Sequence, residues 1–361
     1  MKRVFNFNAG PATLPLEVLE EIHAEWFDFA GTGESILEIR HRGEVFGRVL
    51  EEAEEDVRTL LGVDDRYAVM FLSGGANLHF HMIPLNFLTE GKTAAYVMTS
   101  FFSDKALKEA EKIGKTFIAY RPENGIYDRV PAPEEVVIPE CCAYVHVTSN
   151  NTAEGTEMFC FPDTGNVPLI ADMTSDLLTH PLDMEKFSLI YAGVQKNIGP
   201  AGTVLVVAKK DFLRGRSPAL ANTLNYEIQM ENHSMYNTPP VFAVYTAGKV
   251  VKWILRNGGL AGMEKQNREK AELLYHAVDQ HPDFYRPYAQ KDSRSLMNVV
   301  FTLPSAVLEK RFVAEAAEQD LCGLKGHKAT GGIRASIYNA MPSEGCRRLA
   351  AFMDAFYAKY H

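Results

Sequence analysis

Through the middle of the chain, short apolar runs alternate with amphipathic stretches. Runs rich in β-branched, aromatic and small apolar residues fall at 67–72, 93–98, 115–119, 143–147, 169–171, 189–192 and 203–207. Such short runs, bounded by turn residues, read as buried strands. A helical pattern at 103–112 separates the second run from the third. This alternation predicts an α/β fold, a large and mainly parallel sheet covered by helices on both faces. Later, Val250, Trp253 and Ile254 keep the i, i+3, i+4 spacing of an amphipathic helix, and Asn257-Gly258-Gly259 supplies its stop. A second helical pattern carries Leu274, Ala277 and Val278 on one face. A strand at 297–301, a helix from Ala306, a Gly-rich loop and a last helix from Ser343 read as a smaller α+β unit. The expected division is an N-terminal arm at 1–15, a large domain at 16–258 and a small C-terminal domain at 259–361.

Composition narrows the function classes. Of 361 residues, 46% are hydrophobic and 23% charged, as in an ordinary globular protein. A formal charge of −9 gives no hint of a nucleic-acid partner, although a local basic pocket for a small anion stays open. The first eight residues lack the apolar core of a signal peptide, and no apolar run approaches the length of a membrane span. Five cysteines show no C-x-x-C pair, so they read as buried thiols in a reducing compartment, and a cytoplasmic location is expected. Two Gly-Lys-Thr triplets, at 91–93 and 114–116, imitate a phosphate loop. Asn86 and Glu109 stand where that motif needs a glycine, and each triplet leads into a strand instead of a helix. His79 and His81 have no ligand cluster around them, so no metal site is expected.

Three segments carry chemistry. An apolar strand ending at Ala192-Gly193 runs into Val194-Gln195-Lys196-Asn197-Ile198-Gly199-Pro200. A lysine just past a buried strand can be desolvated into a usable nucleophile, though a lone turn lysine is more often simply solvated. The strand before it ends in Asp172. An acid at that sheet edge can hold the pyridine nitrogen of pyridoxal phosphate protonated, or can merely cap a helix. Upstream, Leu72-Ser73-Gly74-Gly75-Ala76-Asn77 joins a strand to a helix through two glycines. That junction serves as a phosphate cradle or as a plain tight turn. Together the three are far more specific than any one.

These residues, with several more, resemble the phosphoserine aminotransferases, which are fold-type-I pyridoxal-phosphate enzymes. The similarity runs from Phe5-Asn6-Phe7-Asn8-Ala9-Gly10-Pro11 through His41-Arg42-Gly43, Thr148-Ser149-Asn150-Asn151-Thr152 and the Lys196 segment. It continues through Tyr236-Asn237-Thr238-Pro239-Pro240 to Arg334-Ala335-Ser336-Ile337-Tyr338-Asn339-Ala340. The resemblance implies reversible amino transfer between glutamate and 3-phosphohydroxypyruvate, giving 2-oxoglutarate and phosphoserine, in serine biosynthesis. Some bacterial relatives also act on a four-carbon analogue on the route to vitamin B6. It implies that Lys196 carries the cofactor as a Schiff base and shuttles a proton, while Asp172 pairs with the ring nitrogen. Ala76, Asn77 and Gln195 would hold the cofactor phosphate, with Asn237 and Thr238 of the partner subunit, so a homodimer is expected. Thr152 would meet the ring hydroxyl and Arg334 the substrate α-carboxylate. His41, Arg42, His327 and Lys328 would stand at the substrate mouth. Several positions depart from the family pattern: Phe102 stands where Trp usually stacks on the ring, and Lys328 stands where Arg is usual. Arg40 replaces a usual Ser, and Leu296 a frequent Arg. The rival readings are a cysteine desulfurase, with Cys322 as its only plausible nucleophile, and a regulatory protein that binds cofactor without turnover.

Overall fold

The computed structural model describes residues 3–214 and 220–361. The elements β1 (Phe5–Asn6), α1 (Leu16–Ala24) and α2 (Glu44–Leu61) precede the first long strand, β2 (Tyr67–Gly74). Next come α3 (Ala76–Phe87), β3 (Thr93–Val97), α4 (Phe101–Ala110), β4 (Thr116–Tyr120) and β5 (Cys142–Thr148). A small hairpin of β6 (Asn150–Asn151) and β7 (Thr156–Glu157) leads to β8 (Leu169–Asp172), β9 (Leu189–Gly193) and β10 (Gly202–Lys209). Four helices follow: α5 (Lys210–Leu213), α6 (Tyr226–Glu231), α7 (Val241–Arg256) and α8 (Gly259–Gln280). The last third holds β11 (Arg286–Pro287), β12 (Asn298–Thr302), α9 (Ala306–Glu318), β13 (Leu321–Cys322), β14 (Ile333–Ser336) and α10 (Ser343–Tyr360).

Seven strands form the large sheet in the order β2-β10-β9-β8-β5-β3-β4. Only β10 runs against the others, pairing antiparallel with both β2 and β9. Side chains alternate across the sheet, so every strand but the edge strand β4 feeds two cores. Val145, Val147, Ala171 and Ile190 pack toward α2 and α7 on one face. Tyr96, Tyr144, Ile170 and Tyr191 meet α3 and α4 on the other. All seven predicted strands are present; the inner ones are apolar because both faces are buried, while β4, at the edge, keeps Phe117 and Ile118 exposed. Both Gly-Lys-Thr triplets lead into strands, β3 and β4. One helix starts earlier than its pattern: α4 opens at Phe101, because Ser100 and Ser103 exchange side-chain and backbone hydrogen bonds in a capping box.

A three-stranded antiparallel sheet, β11-β12-β14, packs with α8, α9 and α10 around Phe301, Phe312, Phe352 and Phe356. Between α7 and α8 the chain turns at Asn257-Gly258, where Gly258 takes the left-handed φ of 89° that favours glycine. The long helix α8 serves both units. Its Leu260 and Met263 lie in the large core, and its Ala271, Leu274, Ala277 and Val278 lie in the small one. The N-terminal arm also reaches across: β1 pairs in parallel with β13, and Phe7 is fully buried in the small core. The reading of the cysteines as buried needs correction. Cys142 and Cys346 are buried and Cys322 is half-buried, but Cys141 and Cys160 are exposed in turns flanking strands. Hydrophobic character by itself does not bury a residue that the turn points outward.

Candidate active site

The carboxyl ends of β2, β3, β5, β8 and β9 share one edge of the sheet, the usual ligand edge of an α/β fold. A cavity of about 360 Å³ opens there, lined by residues from the arm, from these strand ends and from the small unit. It brings together Ala76, Asn77, Phe102, Thr152, Asp172, Gln195, Lys196, His327 and Arg334. Lys196 follows β9 by three residues, and its Nζ donates a short hydrogen bond to the Thr152 hydroxyl. Burial lowers its pKa to about 8, with Asp172 pulling the other way and Arg334 adding to the fall. An amine so placed is a nucleophile and a base near neutral pH.

Thr152 donates in turn to Ser175 Oγ at 3.1 Å, and Ser175 donates to the Asn150 carbonyl at 2.9 Å. Asp172, at the end of β8, is almost fully buried, and its Oδ1 accepts from the Thr174 amide at 3.0 Å. Burial raises its pKa, while the Thr174 side chain and amide, Lys196 and the Tyr191 hydroxyl act against that rise. At the start of α3, Gly74 has φ 118° and Gly75 is extended, which presents the first helical amides to the cavity. Amides in a first helical turn have no partner inside the helix, so they suit an anion. Phe102 faces this centre, with Lys196 Nζ 5.3 Å from its ring centroid. Arg334, on β14, enters from the small unit. Its Nε is buried without a hydrogen-bond partner, and no ion pair to it occurs among the described residues.

The aminotransferase class-V family model matches residues 4–349. A phosphoserine aminotransferase of Geobacillus kaustophilus is 48% identical over 360 residues, covering all of both chains. The solved phosphoserine aminotransferase from Bacillus circulans subsp. alkalophilus superposes with a TM-score of 0.98, at 48% identity and full coverage of both. A pyridoxal-phosphate-bound phosphoserine aminotransferase from Trichomonas vaginalis gives a TM-score of 0.93 at 38% identity, covering 98% of this chain and all of that one. The chain belongs to the class-V aminotransferases and, within them, to the phosphoserine aminotransferases.

In this aminotransferase five of the expected residues stand outside the cavity of their own chain. Asn237 and Thr238 are exposed in the loop before α7, and Arg42 is exposed and His41 half-buried in the loop before α2. Lys328 is exposed on the loop next to His327. Cys322, the one cysteine considered as a desulfurase nucleophile, lies on β13, away from the cavity lining. Two contributors escaped the sequence reading. Lys105, one helical turn beyond Phe101 and Phe102, holds its Nζ 5.0 and 5.4 Å from their ring centroids. Burial, then Arg334, Lys328, Lys105 and Lys196, all lower the His327 pKa, so four cations converge on one mouth. Helical spacing from Phe102 could have flagged Lys105. The second is Glu154, which is buried and accepts from the Phe101 amide at 2.8 Å, with its other oxygen unpartnered. Burial raises its pKa to about 7. Nothing in its local sequence signals burial.

Proposed function

We propose that the Lys196 cavity carries out reversible amino transfer between glutamate and 3-phosphohydroxypyruvate, with the site residues in the roles that follow. The observation that carries this reading is the convergence of a desolvated lysine, a buried carboxylate and an unpaired arginine on one cavity. The residues fit pyridoxal phosphate: an amine, a strand-end acid, hydroxyl donors and free helix-start amides surround a space of its class. When bound, that group supplies an aldehyde carbon and an electron-withdrawing ring that stabilises negative charge at the substrate Cα.

The chain's own part is positioning and proton transfer. Lys196 Nζ takes the proton from the substrate Cα and returns it on the other side of the reaction. Thr152 orients that amine, and Asp172 would offer a negative charge to the ring nitrogen of a bound cofactor. Ala76, Asn77 and Gln195 would hold its phosphate, and Phe102 would offer an aromatic face to its ring. Arg334 grips the α-carboxylate with its planar fork. His327 and Lys328 read the distal anion, together with Lys105.

Asn237 and Thr238 complete the phosphate site of the partner subunit, and His41 and Arg42 its mouth. Exposed apolar surface supports such a dimer: Phe27 is 83% and Leu16 50% exposed. Phe27 also lines an apolar hollow with Leu14, Ile22, Trp26 and Phe242. No helix among the described residues is long and apolar enough to cross a membrane; a cytoplasmic location is part of this proposal. We place the division into large and small domains near residue 258, so that Lys196 and Arg334 come from different domains. The test is optical: purified protein carries a visible absorption band that bleaches with glutamate and returns with 3-phosphohydroxypyruvate. Lys196→Ala folds but loses both changes; ordinary turnover by that variant refutes the assignment.

A further inference from the structure

Beneath Asp172 lies a pair of buried polar side chains that amino transfer leaves unused. Asp172 on β8 pairs with Tyr191 on β9, and Thr148 on β5 pairs with Asp172. Strand periodicity puts His146, two residues before Thr148, on the same face. Tyr191 is 0% and His146 1% exposed. The Tyr191 hydroxyl lies 2.9 Å from His146 Nε2, and Tyr191 is the cross-strand neighbour of Asp172, whose pKa its hydroxyl helps to hold down. Packing holds both rings: His79 stacks on Tyr191 at 5.5 Å, and Tyr96 stacks on His146 at 5.0 Å.

A count of protons sets the direction of these bonds. Burial lowers the His146 pKa to about 3, so the ring is neutral and carries one N–H. Its Nδ1 is buried with no partner. With the proton on Nδ1, a buried N–H is left bare, Tyr191 spends its hydrogen on Nε2, and Asp172 receives none. With the proton on Nε2, the ring donates to the Tyr191 oxygen and Tyr191 donates onward to Asp172. Only a lone pair is then left bare, and orphaned buried N–H groups are the rarer fault.

We propose that His146 and Tyr191 are positioning residues that deliver a hydrogen bond to Asp172 and keep it ionised opposite the cofactor ring nitrogen. The inference rests on the reading of Asp172 given above. It answers a physical need. A carboxyl buried to this depth drifts toward its neutral form, and a neutral acid cannot hold a pyridine nitrogen protonated. The Thr174 amide already donates to Asp172 at 3.0 Å, and the Tyr191 hydroxyl on the neighbouring strand is the further donor in this proposal.

The experiment titrates apo-protein with pyridoxal phosphate and records both the dissociation constant and the absorption band of the bound form. Tyr191→Phe keeps the stacked ring and removes only the hydroxyl; the constant rises about tenfold and the band moves. His146→Leu moves both the same way, whereas His146→Gln offers an amide N–H near the Nε2 position and stays within about threefold of the parent. Asp172→Asn is the control. If it changes affinity and band while Tyr191→Phe changes neither, the inference is overturned and the reading of Asp172 stands. If Asp172→Asn also changes nothing, the reading of Asp172 falls with it. Should Tyr191→Phe fail to fold, equal constants for His146→Leu and His146→Gln overturn the inference.

Discussion

Replacing Arg334 with methionine isolates what an unpaired cation does at this mouth. The guanidinium is half-buried on β14, its Nε has no partner, and no ion pair reaches it among the described residues. Burial lowers its pKa, with Tyr338 and Glu154 offsetting only part of that. Such a group suits a carboxylate from outside, the role proposed for it above. Two charge-assisted hydrogen bonds in a fork, at about 1.5–3 kcal/mol each, predict a loss of about 10²- to 10⁴-fold in kcat/KM for glutamate and phosphoserine. Stability should hardly suffer, because removing an uncompensated cation relieves a desolvation cost. The melting temperature is expected to stay within about 2 °C. Arg334→Lys should fall between the two, as a point charge lacks the fork. The assay compares phosphoserine with O-phosphoethanolamine, which keeps the phosphate and lacks the α-carboxylate, using the optical change on binding to cofactor-saturated enzyme. Weakened phosphoserine with unchanged phosphoethanolamine is the expected pattern. Equal losses for both ligands refute the carboxylate role.

Three further outcomes follow from the same geometry. Phe102→Trp enlarges the π-face beside Lys196 and should tighten cofactor binding by about 0.5–1.5 kcal/mol; easier loss of cofactor on dialysis, with the fold intact, counts against Phe102 as the stacking residue. Burial lifts the Glu154 carboxyl from 4.5 to about 7, so the folded state holds the extra proton between those values and stability falls as pH rises through that window. Glu154→Gln should therefore melt at a higher temperature than the parent at pH 8 and alike at pH 5; an equal gain at both values would assign the effect to packing. Mixing Lys196→Ala chains with inactive Thr238 variants should restore activity through hybrid dimers holding one intact site, and no recovery after verified subunit exchange argues against a shared site.

Much of the architecture was readable because its determinants are local. A strand buried on both faces must be largely apolar, so β5, β8 and β9 announce themselves, and the residues at or just past each carboxyl end fall at the ligand edge. This is why Lys196, Asp172 and the glycines before α3 could be named from the chain alone, each with a bland alternative beside it. Convergence made the difference. The family resemblance supplied the partners, but only the fold brings Phe102 from α4 and His327 and Arg334 from the β13–β14 stretch to within one cavity.

Other features had no local signal at all. The start of α4 at Phe101 depends on a reciprocal serine cap instead of on hydrophobic spacing. The burial of Glu154 depends on the amide of a helix far along the chain, and a glutamate next to a glycine reads as a surface residue. Exposure of Cys141 and Cys160 came from turn geometry, which composition does not encode. His146 and Tyr191 look like ordinary alternating strand residues, and their relation to Asp172 exists only because three parallel strands fix their register. Sequence by itself determined which segments must be buried, because burial of apolar area is an additive property of neighbours along the chain. Tertiary structure alone decided which polar groups meet, because hydrogen bonds and charge pairing need positions within a few tenths of an ångström. No run of side chains specifies those before the sheet has closed its register.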